Sequence, residues 1–168
     1  NILEAIKQSN NKQIKVFFAG STECFGNLKN NQKYFDEKSE FRPVNIYSFA
    51  KTSSFNIVKK YREFDKILCC TGILSNHESP LRSNKYISKK IIEGARKIAN
   101  GKEKKIKLGN INTSRDWGWA PEYVEVMWKI LQQNHPDDYI IASGKTTSLI
   151  EFINIVFKKF NLDWKKQI

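Results

Sequence analysis

Tyr47 and Lys51 stand four residues apart in the run Ile46-Tyr-Ser-Phe-Ala-Lys51. On a helix that spacing puts both side chains on one face, one turn apart. An ammonium beside a phenol favours the phenolate. Such a phenol can take the proton of a sugar or alcohol hydroxyl while hydride leaves the same carbon. A second group of polar side chains, Ser21, Thr22 and Glu23, follows directly on the apolar run Lys15-Val-Phe-Phe-Ala19 and Gly20. Parallel sheets place ligands outside the carboxyl ends of their strands. A hydroxyl there can hold the reacting oxygen, and Glu23 can serve as a second acid or base. The purely structural alternatives are a packed Tyr beside a surface Lys, a cap or turn at Ser21 and Thr22, and a solvated carboxylate at Glu23.

Those side chains need a scaffold, and the apolar pattern supplies one. Lys15–Ala19 has no alternation and reads as a strand buried on both faces, as in a parallel sheet. Residues 26–43 read as a loop, and one of that length usually frames a site. A helix is expected from about 45 to 63, with Tyr47, Ala50, Phe55, Val58 and Tyr61 at roughly helical spacing. Ile67–Leu74 repeats the buried-strand signature. Asn76-His-Glu-Ser-Pro80 reads as a turn or loop, because Pro80 removes a donor and biases Ser79 away from helix. A helix from about 84 to 99 carries Ile87, Ile91, Ala95 and Ile98, and Asn100-Gly101 stops it. Ile106–Leu108 is expected as a short strand and Asn110–Trp119 as a loop. Pro121 opens a helix that runs to 133, Tyr139–Ala142 is a strand, and Ser148 caps a last helix with Phe152, Ile153, Ile155, Val156 and Phe160. The alternation of strand and helix predicts an α/β fold with a mainly parallel sheet. No glycine-rich phosphate loop of the dinucleotide type occurs in the chain. The pattern therefore looks like the second part of a doubly wound fold. Residues 1–75 are expected to hold the catalytic groups, and 76–168 a mixed cofactor- and substrate-binding region with the last sheet elements.

Composition narrows the function classes. The chain has 168 residues, with 29 Lys and Arg against 17 Asp and Glu, for a net charge of +12. Of the basic residues 24 are Lys and 5 are Arg. They are scattered rather than striped, and groove readers lean on the planar fork of Arg. Most of the Lys residues read as solvated surface, some as attraction for an anionic small ligand, and nucleic acid is not the expected partner. No stretch approaches the ~20 apolar residues of a spanning helix, so no membrane partner is expected. Three Cys make neither a disulfide framework nor a metal spacing, so no metal is expected, and a reducing, cytoplasmic compartment is the default. The chain starts at Asn1, its one Met is Met127, and Asn1 to Asn11 are polar and mildly helical without a signal-peptide core. It reads as a cleaved or partial chain.

Several runs together carry a family resemblance. Ala19-Gly-Ser-Thr-Glu-Cys-Phe-Gly26, Tyr47-Ser-Phe-Ala-Lys51 and Asn76-His-Glu-Ser-Pro80 resemble the GDP-mannose 4,6-dehydratases. So do Leu108-Gly-Asn110, Arg115-Asp-Trp-Gly118, Tyr123-Val-Glu-Val-Met-Trp128 and Ile141-Ala-Ser-Gly144. That family belongs to the extended short-chain dehydrogenase/reductase superfamily. The Tyr-Lys pair is shared across the superfamily, whereas the Asn-His-Glu-Ser-Pro and Arg-Asp-Trp-Gly runs are more specific. The resemblance implies a partial Rossmann-like fold. It also implies conversion of GDP-D-mannose to GDP-4-dehydro-6-deoxy-D-mannose and water, with a tightly held NADP as the internal hydride carrier.

By resemblance Ser21 stands where the family has a catalytic Thr, Glu23 matches its acid/base, Tyr47 its base for the C4 hydroxyl, and Lys51 the holder of the nicotinamide ribose. Tyr47, Lys51, His77 and Arg82 match positions near NADP; Asn76, Lys90 and Arg115 are assigned to the sugar nucleotide. Leu81 and Ser83 replace a family Arg and Gly. The resemblance further implies a homo-oligomer at full length, and a glycine-rich NADP-binding part before Asn1 and a closing segment after Ile168. Residues 1–168 alone are accordingly expected to bind NADP poorly and not to turn over. The competing expectations are another nucleotide-sugar dehydratase or epimerase, for which an apolar or small residue at Glu23 would be the mark, and a non-catalytic degenerate subunit.

Overall fold

The structure is a computed structural model that describes residues 2–9, 11, 13–28 and 32–168. Its elements are α1 (Ile2–Gln8), β1 (Lys15–Ala19), a 3-10 turn (Thr22–Phe25), α2 (Ile46–Asp65), β2 (Leu68–Leu74), β3 (Asn76–Glu78) and α3 (Ile87–Ala99). They continue with β4 (Ser114–Trp119), α4 (Ala120–Leu131), β5 (Asp138–Ile141), β6 (Thr146–Ser148), α5 (Leu149–Lys159) and α6 (Trp164–Gln167). The expected helical segment Asn1–Asn11 and the loop 26–43 include residues 1, 10 and 29–31, which lie outside the described residues. Among the described residues no helix is long and apolar enough to cross a membrane.

The chain forms two compact units, Asn1–Ser75 with Pro121–Ala142, and Asn76–Ala120 with Ser143–Ile168. In the first, β1, β2 and β5 make a parallel sheet in the order β1-β2-β5, with Ala19 opposite Gly72 and Leu74 opposite Ile141. β2 is central, and six of its seven residues are buried. Successive strand side chains point to opposite faces, so neighbouring β2 residues enter different cores. Cys69 packs with Leu3, Val58 and Ile67 on the side of α1 and α2. Cys70 packs with Tyr123, Ile130 and Ile141 on the side of α4. That two-faced coverage is why the run Leu68–Leu74 is apolar without alternation. A third cluster, Phe25, Phe55 and Ile73 with Phe35 and Phe41 against it, seats the 3-10 turn and the loop beyond it on α2. The Phe25 and Phe35 rings stack 4.7 Å apart.

The strands of the second unit come from what sequence reading treats as loops, whereas its helices α3 and α5 lie close to the expected positions, α5 capped by Ser148 as expected. Asn76–Glu78 is a strand, not a turn, and pairs in parallel with β4, which replaces most of the loop expected over Asn110–Trp119. β4 also pairs antiparallel with β6, a strand without any apolar signature. The expected strand Ile106–Leu108 is not a strand. Ile106 is buried against Ile91 and Ala95 of α3 and Leu149, Ile153, Val156 and Phe157. Its N–H donates to Gln167 O at 2.8 Å. Gly94 permits this approach: a Cβ there would lie 2.4 Å from Ile106 Cγ2.

All three Cys are free and buried. Burial pushes the Cys69 thiol up to about 11, against the partly offsetting charge of Arg62. The unfolded chain ionises this thiol from about its ordinary 9.0, the folded chain only near 11. The stability linked to that proton is therefore full below pH 9 and lost as pH rises toward 11. Native protein at pH 8 is expected to leave all three thiols unmodified by an aromatic disulfide reagent, and to release three equivalents on unfolding. A fast native equivalent would contradict the buried positions.

Candidate functional site

The candidate site in the first unit sits at the carboxyl end of β1. α2 starts at a capping box: Asn45 Oδ1 accepts from Ser48 N at 2.8 Å, and Ser48 Oγ accepts from Asn45 N at 3.1 Å. Such a cap satisfies N–H groups that the first turn leaves unpaired. Tyr47 is the second residue of the helix and is 53% exposed, so its ring is not a core side chain. Lys51 follows one turn on. Its Nζ donates to Ala19 O at 2.8 Å and lies 5.8 Å from the centre of the Tyr47 ring and 5.3 Å from that of Phe18. The ammonium thus ties the helix to the last residue of β1.

Ser21 is buried and caps the 3-10 turn, accepting from Glu23 N at 3.2 Å. The cap is the structural alternative for this residue, and it uses the oxygen only as an acceptor; the hydroxyl proton is not spent in it. Glu23 is exposed, and its Oε2 accepts from Asn45 Nδ2 at 3.3 Å. Cys24 Sγ adds a weak contact to Ser48 O at 3.7 Å. The turn that follows β1 is therefore fastened to the first turn of α2, with Glu23 beside the cap that precedes Tyr47. Gly26, at φ 68°, closes that turn where a Cβ would meet Arg42 O at 2.3 Å, so the chain there has to be glycine.

The remaining predicted residues all lie in the second unit. Asn76 and His77 are on β3, in register with Trp117 and Gly118 of β4, and Arg115 is on the same β4. The two more family-specific runs are thus neighbouring strands. Arg82 lies in the loop after β3. Its Nε is 3.1 Å from Glu78 Oε2, and its guanidinium lies 3.6 Å over the Tyr86 ring. Arg82 also lines a cavity of about 370 Å³ with Ser88, Lys89, Ile92, Trp119 and Phe152. Lys90 is exposed on α3. Asp116, in the Arg-Asp-Trp-Gly run, accepts from Ser143 N at 3.0 Å and Gly144 N at 2.8 Å, and so holds the turn that enters β6.

Residues 1–168 match the family profile described as GDP-mannose 4,6 dehydratase. The chain belongs to the GDP-mannose 4,6 dehydratase family. GDP-mannose 4,6 dehydratase 1 of Arabidopsis thaliana is 38% identical over 170 residues, which cover 99% of this chain and 46% of that protein. The chain spans about half the length of the curated relatives it matches. A dTDP-glucose 4,6-dehydratase from Bacillus anthracis, solved with NAD, has a TM-score of 0.88 at 20% identity over 99% of this chain and 52% of its own. RMD from Pseudomonas aeruginosa, solved with NADPH, has a TM-score of 0.88 at 15% identity over 96% of this chain and 55% of its own. These two likenesses establish the Rossmann-like α/β fold.

Within the family frame, Ser21, Glu23, Tyr47 and Lys51 gather in one unit, and Asn76, His77, Arg82, Lys90 and Arg115 belong to the other. Sequence reasoning assigned no role to Asn45 and none to Asp116. A signal for Asn45 was present, since Asn directly before a helical pattern is a strong cap. Nothing in the sequence announced that the same amide reaches Glu23.

Proposed function

We propose that the chain is part of a GDP-mannose 4,6-dehydratase that converts GDP-D-mannose to GDP-4-dehydro-6-deoxy-D-mannose and water. The observation that carries this reading is the carboxylate of Glu23 fastened to the N-terminus of the helix that bears Tyr47 and Lys51. An epimerase needs only a phenol and a hydride carrier. A carboxylate placed beside them adds the group that removal of a carbon-bound proton and loss of water require.

NADP is the proposed cofactor, and the side chains of the first unit fit its nicotinamide ribose. An ammonium has three donors. Lys51 spends one on Ala19 O, which leaves two for ribose hydroxyls. The exposed Tyr47 ring lies beside it. His77 and Arg82 are proposed to contact the cofactor, and Asn76, Lys90 and Arg115 the sugar nucleotide. When bound, NADP supplies the acceptor for hydride from C4 and the donor of that hydride to C6.

The side chains manage protons. Tyr47 Oη takes the proton of the 4-hydroxyl as C4 is oxidised, with Ser21 Oγ holding the same oxygen. The resulting C4 ketone makes the C5 proton acidic by stabilising the developing enolate. Glu23 takes that proton and protonates the departing C6 hydroxyl, which leaves as water. Tyr47 then gives up the proton it took from the 4-hydroxyl as C5 is reprotonated and C6 is reduced, so Tyr47 and Glu23 both end as they began. Redox change in the sugar is internal, and the only net loss is water. The full-length protein is proposed to act as a homo-oligomer.

The full-length protein supplied with GDP-mannose carrying deuterium at C4 is expected to release product that is lighter by one water and retains the deuterium at C6. In D2O, unlabelled substrate should gain one deuterium at C5. Product of unchanged molecular formula would indicate epimerisation, and label lost to solvent would break the internal hydride transfer.

A further inference from the structure

We propose that Asn45 is a positioning residue that couples Glu23 to the helix carrying Tyr47, so that the carboxylate and the phenol are held as one assembly. The proposal rests on the reading of Glu23 as the acid/base. Its geometric core is a single amide with two jobs. Asn45 Oδ1 accepts from Ser48 N at 2.8 Å. Only the amide oxygen can accept an N–H, so the NH2 group has to face the other way. There Nδ2 donates to Glu23 Oε2 at 3.3 Å.

The amide is not free to turn away. Asn45 has the extended backbone of an N-cap, φ −145° and ψ 168°. Ser48 is fully buried, and its Oγ accepts from both Asn45 N and Val44 N at 3.1 Å and donates to Asn45 O at 3.0 Å. The capping box therefore sets the direction of the donor before Glu23 arrives. Among the described residues one carboxylate oxygen is engaged, and Oε1 is left to exchange a proton. Tyr47 is two residues on in the same helical turn, so any shift of the cap moves both groups together.

Capping and coupling separate by substitution. Ser caps a helix about as well as Asn, but its short side chain, with the oxygen accepting for the cap, carries no amide group to reach Glu23. Asp also caps, and puts a second carboxylate where the donor was. In the full-length protein, Asn45→Ser is expected to leave the unfolding midpoint unchanged and lower turnover about ten- to a hundredfold, the size of a small misplacement of a reacting group. Asn45→Asp is expected to lose at least as much, again with the fold intact. A second readout does not depend on turnover. The side-chain 15N amide signals of Asn45 should move when Glu23 is changed to Ala, while the Ser48 backbone amide stays protected.

Wild-type turnover in either Asn45 variant overturns the proposal. So does an Asn45 amide signal indifferent to Glu23→Ala, whatever Glu23 does in the reaction. The parent reading fails separately: if Glu23→Gln turns over normally while the amide signal still follows Glu23→Ala, the coupling stands and the acid/base role falls.

Discussion

Turnover of GDP-mannose by the full-length protein is expected to fall by two to four orders of magnitude when Tyr47 is replaced by Phe, the range over which a positioned acid or base contributes. At about 1.36 kcal/mol per decade, that is a loss of about 3–5 kcal/mol of transition-state stabilisation. Only one oxygen is removed. The ring is 53% exposed and belongs to no buried cluster, so the substitution opens no cavity. Lys51 keeps its bond to Ala19 O, and Asn45 keeps the cap of α2. Thermal unfolding should stay within about 0.5 kcal/mol of the unsubstituted protein, as for other surface changes. Turnover reduced less than tenfold would remove Tyr47 from the chemistry. A matching loss of stability would make it a packing residue.

The largest expected effect on stability lies at the other end of the same helix. Arg62, in the last turn of α2, forms a bidentate pair with Asp138 at the start of β5, at 2.8 and 2.6 Å, and also donates to Cys69 O at 3.1 Å. The side chains are only 12% and 10% exposed. The hydrogen bonds to Asp138 push the Arg62 guanidinium further up its range, against the opposing effect of burial. This pair joins α2 to β5 across the start of β2.

Removing one partner of such a pair leaves an uncompensated charge out of water, which costs about 3–5 kcal/mol. Domains commonly have only about 5–15 kcal/mol in total. Arg62→Met is therefore expected to lower the urea midpoint sharply, and Asp138→Leu to do the same. The double variant should recover most of the loss, because an apolar pair of similar volume is often neutral or better. Two single variants each within about 1 kcal/mol of the unsubstituted protein, or a double variant whose losses simply add, would show that the pair is not the fastening that its geometry implies.

The strands and helices of the first unit were legible to within a residue or two because burial wrote its pattern into the sequence. β1 was expected at Lys15–Ala19 and is found there; α2 and β2 differ from expectation by a residue or two at their ends. A strand covered on both faces needs an unbroken apolar run, and a helix laid on it needs one apolar face. In the second unit the helices α3 and α5 showed their apolar faces, but the strands left no such trace. Asn76-His-Glu78, Ser114–Trp119 and Thr146-Thr-Ser148 are strands because they hydrogen-bond to one another, and backbone pairing asks little of side chains. Ile106 shows the converse: an apolar triplet expected as a strand serves instead as a plug against Gly94 and α3.

The same division holds for the candidate site. Residue types and spacing were enough to name Ser21, Glu23, Tyr47 and Lys51, because a helix turn and a strand end are local, and local geometry follows from short stretches of chain. The attachment of Glu23 to Asn45 joins positions 22 residues apart, and that of Lys51 to Ala19 spans 32. Contacts at that separation exist only after β1 and α2 have packed, since it is packing that brings a side chain from one element within hydrogen-bond reach of another. The proposed chemistry was therefore nameable from the order of amino acids, and the fastening between its groups emerged from the fold.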